Sequence, residues 1–182
     1  MRRLLLILLV GTSLGLPAGA GAVRELPGDG TLVVDNARGL VTVRARGGII
    51  GRFDSGRVVV EDPVEGDGSG PIVYGADRIR ELGPHTTLYI GEDVRFRLIG
   101  GSYRVSVQAY GMDISAVGRG TALLDGSGFA EQPGRFSVNG GSYQAMPDVA
   151  TRYTLGQGLL SAAQGEKGQE KGTPGPPTPR GQ

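Results

Sequence analysis

The chain has no cysteine, no tryptophan and a single histidine, His85. Without cysteine there is no disulfide to brace the fold and no site for a lipid on an N-terminal cysteine, so a packed core must supply the stability. With one histidine, a Ser-His-Asp hydrolase has only one candidate base, and many catalytic zinc arrangements lack a second imidazole ligand. His85 stands in "GPHTT", where a loop residue at the start of a strand is expected, and no G-x-S-x-G motif accompanies it. The lack of tryptophan removes the usual stacking platform of sugar-binding β domains. Lysine is confined to Lys167 and Lys171, so every other basic side chain is arginine.

Charge of one sign is also missing. Nineteen basic side chains stand against eighteen acidic ones. Such a balance gives no electrostatic basis for binding nucleic acid or an anionic membrane surface. No window of about eleven residues or more carries a 3.6-residue apolar period, and the best helical candidate is the short segment Gly75–Leu82.

What is abundant is glycine, 34 of 182 residues, without the every-third spacing of a collagen helix. It separates short β-branched runs, among them "TLVVD" at 31, "LVTVRA" at 40, "IIGRF" at 49, "RVVVE" at 57 and "SYRVSVQAY" at 102. Many such runs at roughly ten-residue spacing predict an all-β fold, a single antiparallel β-sandwich or barrel-like domain, with a β-solenoid as the alternative. That domain is expected over residues 23–160. Before it, Arg2, Arg3, the apolar run Leu4–Val10 and the small residues up to Ala22 have the layout of a cleaved secretory signal peptide, residues 1–22. Pro17 and nearby glycines interrupt the run, so no transmembrane segment is expected in the mature chain. Residues 161–182, rich in Gly, Pro, Gln and Lys, are expected to be a disordered tail.

"FRLIGGSY" at Phe96–Tyr103 returns as "FSVNGGSY" at Phe136–Tyr143. Read as two-residue hairpin turns, Gly100-Gly101 pairs Leu98 with Tyr103 and Phe96 with Val105, and Gly140-Gly141 pairs Val138 with Tyr143 and Phe136 with Ala145. In the first hairpin one face is apolar and the other presents Arg95, Arg97 and Arg104, with Tyr110 on the same polar parity. Arg97 would then face Arg104, a like-charge contact that an anionic ligand can relieve. These four residues are the candidate anion-binding face. The acidic stretch "EDPVEGDGSG", with Glu61, Asp62, Glu65 and Asp67, makes calcium the candidate metal, although Asp-Pro and Asp-Gly pairs also serve as turn chemistry.

These readings predict an exported, non-enzymatic β domain that binds an envelope component or an extracytoplasmic protein and uses no other cofactor. The alternative is a small carboxylate-dependent hydrolase, supported by calcium, acting on envelope polysaccharide.

Overall fold

The structure is a computed structural model that describes residues 26–64 and 66–156. The expected signal peptide, the expected tail beyond 160 and Glu65 lie outside the described residues. The fold is all-β: one antiparallel sheet of seven strands, not closed. The strands are β1 (Gly30–Glu61), β2 (Ile72–Gly83), β3 (Thr86–Leu98), β4 (Ser102–Gly128), β5 (Arg135–Val138), β6 (Gln144–Ala145) and β7 (Thr151–Leu155). Among the described residues no helix is long and apolar enough to cross a membrane.

Four of the expected short strands are one. β1 runs unbroken for 32 residues and β4 for 27. Fully extended, β1 would reach about 100 Å at some 3.3 Å per residue, far more than a domain of this size spans. It coils instead. β1 pairs with β4 along both of its edges: Arg44 faces Arg104 on one side and Thr121, 17 residues further along β4, on the other. The same offset holds in β1, where Val107 lies between Val41 and Val58. An antiparallel ribbon that meets itself every 17 residues has been wound into a coil, with one side chain of each successive pair turned to the inside.

The bends fall at glycines. Gly39, Gly47 and Gly56 follow one another at intervals of eight and nine residues, together one repeat of the 17-residue offset, and each has a positive φ. Turn punctuation in the sequence is therefore corner punctuation within continuous strands.

Two of the cross-sheet rows show how the interior runs out toward the edge strand, where Val73 is half-buried and Ile79 is exposed. One reads Phe136, Val34, Ile114, Gly51, Phe96, Val73; the other Leu124, Val41, Val107, Val58, Tyr89, Ile79. Leu32, Val34, Val41, Val58, Val94, Leu98, Met112 and Leu124 are wholly buried. At about 1.5–3 kcal/mol for each large apolar side chain removed from water, this interior does the work that disulfides do elsewhere.

Two sequence expectations are corrected here. Gly75–Leu82 is not helical but lies within the edge strand β2, whose alternation of Ile79 with Arg78 and Arg80 suits a strand paired on one side only. The two diglycine hairpins do not form as expected either. β3 and β4 are joined through Gly100-Gly101, yet β1 lies between them, so Phe96 pairs with Gly51 and Val105 with both Val43 and Val60. Period-two alternation fixes which face a side chain takes and is silent about its partner strand. Hence Val94, Phe96, Leu98, Tyr103, Val105 and Val107 are buried as expected while every pairing differs. Around Gly140-Gly141 the pairing slips by one residue, Phe136 facing Gln144 and Arg135 facing Ala145. Tyr143 is consequently exposed, with the Arg135 guanidinium 4.9 Å above its ring, while Tyr103 is buried. The echoed octapeptides occupy two different environments.

Candidate functional site: an arginine groove

Coiling brings together arginines that are remote in sequence. On β1, "VRAR" alternates Val43 and Ala45 inward with Arg44 and Arg46 outward. Arg44 faces Arg104 across one edge of β1 and Arg46 faces Arg119 across the other, so two like-charge pairs share the outer surface on either side of β1. All four line one groove of about 490 Å³, together with Glu61, Pro63, Ser102, Tyr103, Gly120 and Thr121. Directly opposed like charges in a sheet are destabilising, by roughly 0.2–1 kcal/mol a pair.

The acidic compensation is partial. Glu61 reaches Arg104 at 3.5 Å, and Asp29 reaches Arg119 at 3.4 Å while the Pro27 carbonyl accepts from its Nη2 at 2.6 Å. Among the described residues Arg44 and Arg46 have no ion-pair partner. Two exposed guanidiniums thus stand beside two that are half-neutralised, which is a donor-rich surface suited to phosphate, sulfate or carboxylate oxygens.

The residues singled out from the sequence are distributed differently. Arg104 belongs to this groove. Arg95 and Arg97 project from β3 into a separate groove, where Arg95 faces Arg52 rather than Arg104. Tyr110 is exposed and rests edgewise on Phe129, ring centroids 5.8 Å apart. The face expected to hold Arg95, Arg97, Arg104 and Tyr110 together is therefore split among three places. Arg44, Arg46 and Arg119 were missed. "VRAR" did signal two outward arginines, but nothing local reports that residue 104 or 119 would lie opposite.

Of the acidic candidates, Glu61 is engaged by Arg104, and Asp67 Oδ1 accepts a hydrogen bond from the Ser102 amide at 3.2 Å, as a turn-fixing carboxylate does. Asp62 takes its amide bond to the His85 carbonyl at 2.8 Å. Among the described residues, no three His, Cys, Asp or Glu side chains are placed to share a metal ion. His85 occupies the turn between β2 and β3 with φ of 60°.

Among the described residues two polar atoms are buried without a hydrogen-bond partner, the hydroxyl of Tyr103, a residue of the groove lining, and Asp62 Oδ1. Burial, and next the Asp62 carboxylate, pushes the Tyr103 phenol above its ordinary 10.0, with the Gly70 backbone opposing. A phenol whose folded pKa is raised contributes stability that is whole below about pH 10 and is lost as pH rises through the folded value. The Gly70 backbone lies close enough to oppose that shift but not in good hydrogen-bonding geometry, so removing the hydroxyl forfeits little bonding. Tyr103→Phe is thus expected to match the parent or exceed it by about 1 kcal/mol in urea unfolding at pH 7, and to lose stability less steeply above pH 10. A loss above about 1 kcal/mol at pH 7 would show that the hydroxyl is bonded.

Comparison with protein-family models, with curated proteins and with solved structures finds no match to this chain. Function must therefore be read from the groove itself.

Proposed function

We propose that this protein is a non-enzymatic binding domain, acting outside the cytoplasm, that holds a phosphate- or carboxylate-bearing polymer of the cell envelope in the groove of Arg44, Arg46, Arg104 and Arg119. One observation carries the reading: Arg44 and Arg46 each face another arginine, one across either edge of β1, and among the described residues Glu61 is the only carboxylate lining the groove. A fold gains nothing from that placement, whereas a string of anionic groups converts it into charge-assisted hydrogen bonds. A polymer suits an open groove on a sheet surface better than a small substrate, which calls for an enclosing cleft. Export rests on Arg2, Arg3, Leu4–Val10 and the small residues to Ala22. In the finer architecture, we read the coiled ribbon as a barrel-like sandwich.

The test is a titration of the full chain with inorganic polyphosphate, polygalacturonate and neutral dextran. Binding of one or both anionic polymers, weakening as salt rises, with none to dextran, is expected. Arg44→Gln/Arg46→Gln should weaken that binding by about tenfold or more, because each charge-assisted contact is worth roughly 1.5–3 kcal/mol. Equal affinity of variant and parent would remove the proposal. Turnover of glycosides or esters by the parent chain would replace it with the hydrolase reading.

A further inference from the structure

A second groove, of about 530 Å³, crosses the outer face where β3, β1 and β4 run side by side. Its composition differs from the first. One cross-strand row presents Val33, Ser115, Ile50 and Arg97, and the next presents Asp113, Arg52 and Arg95. Arg52 is already committed: its Nε and Nη2 donate to Asp113 Oδ2 at 2.8 and 2.6 Å, and Asp113 Oδ1 accepts from the Asn36 amide at 2.9 Å. Arg95 and Arg97 are not. Neither has an ion-pair partner among the described residues.

Apolar side chains flank those two guanidiniums, while Asp35, Asp113 and Ser115 line the same groove further off and Asp35 is held by Arg135. Ile50 sits on one side of Arg97, and on the other the edge strand places Ile72 beside Arg97 and Tyr74 beside Arg95. Ile72 and Tyr74 are 40% and 68% exposed. Two outward side chains two positions apart on a strand are separated by about 7 Å at the backbone, so one carboxylate or phosphate can take a hydrogen bond from both. A simple ion would leave Val33 and Ile50 of the groove wet. A wholly apolar molecule would cover Arg95 and Arg97 without pairing them, which is costly. Only a ligand with both characters uses the whole surface.

We propose that this groove binds a single-chain amphiphile, an alkyl chain ending in one acidic group, with the head on Arg95 and Arg97 and the chain along Ile50 and Val33. The site shares no residue with the four-arginine groove and stands or falls separately from it.

Isothermal titration of the full chain with laurate, dodecyl phosphate, dodecanol and inorganic phosphate, all below micelle-forming concentrations, tests the assignment. At least one of laurate and dodecyl phosphate is expected to bind about tenfold or more tightly than dodecanol or phosphate. Preference between the two identifies a carboxylate or a phosphate head. Arg95→Gln/Arg97→Gln should abolish that margin, Ile50→Ser should weaken binding of the amphiphile while leaving the β circular dichroism intact, and Arg152→Gln, on β7, should change nothing. The proposal is overturned if neither amphiphile binds, if dodecanol binds as tightly as laurate, or if Arg95→Gln/Arg97→Gln titrates like the parent.

Discussion

Gly47→Ala and Gly118→Ala are each expected to destabilise the protein by about 4 kcal/mol, at the severe end for a change of one methyl group. The two residues face each other at the corner where the ribbon crosses from one turn of the coil to the next. Gly47 has φ of 150° and Gly118 of 147°, which a β-carbon opposes, and space is refused as well as conformation. A Cβ on Gly47 would overlap the Val117 carbonyl oxygen, and one on Gly118 the Arg46 carbonyl oxygen. These are backbone atoms held in the ladder, so relief requires opening the sheet rather than turning a side chain. Gly140→Ala is the matched control, because its φ of 70° is also positive but open space surrounds it; a cost of about 1–2 kcal/mol is expected there. Urea midpoints of the three variants decide the matter. If Gly47→Ala costs no more than Gly140→Ala, the two strands do not cross as described.

That corner also marks what could be read from the sequence. Alternation in "VRFRL" and "SYRVSV" determines that Phe96, Leu98, Tyr103 and Val105 point in and that Arg95, Arg97 and Arg104 point out, because burial on one face has a period of two. Partner choice has no such local signature. A diglycine between two alternating runs satisfies a hairpin equally well whether the runs pair with each other or, as Gly100-Gly101 does, pass on either side of a third strand. The interval from Gly39 to Gly47 to Gly56 did contain the repeat of the coil, but within the strand pattern each glycine reads equally well as a turn. The arginine groove was invisible for the same reason. Arg44 and Arg104 are sixty positions apart, and only the ladder of 17-residue offset sets them opposite.

The like-charge contact expected between Arg97 and Arg104 does not form, yet the structure contains Arg44 against Arg104, Arg46 against Arg119 and Arg52 against Arg95. Their treatment differs. Arg52 is relieved by a paired contact to Asp113, and that hydrogen bond is the chief cause that raises its pKa above the ordinary guanidinium value. Among the described residues Arg44 and Arg46 receive no such relief. The fold can neutralise an arginine pair with one aspartate and at another place does not, and that contrast is what supports the proposed anion site at Arg44 and Arg46.

The interior row behind the second groove allows a sharper test of how closely the outer surface depends on the core. Phe96 is 3% exposed and its ring lies against the bare backbone of Gly51, so that a Cβ on Gly51 would overlap Cζ and stand 2.9 Å from Cε1. Phe96→Ala should cost about 3–5 kcal/mol through lost burial and the void left behind. Gly51→Ala, at an ordinary φ, should cost about 1–3 kcal/mol through overpacking alone. Combined, the new methyl occupies part of the void and its clash with the ring is gone, leaving only the tight approach to the Asp113 carbonyl oxygen at 3.1 Å, so the double variant is expected to be about 1–2 kcal/mol more stable than the sum of the single costs. Because Arg95 and Arg97 flank Phe96 on the same strand, Phe96→Ala should also weaken laurate and dodecyl phosphate binding, and Gly51→Ala should restore part of it in the double variant. Strict additivity in urea unfolding would mean that the ring and the glycine do not share one space, and that β3 does not lie against β1 in the register from which the second groove is built.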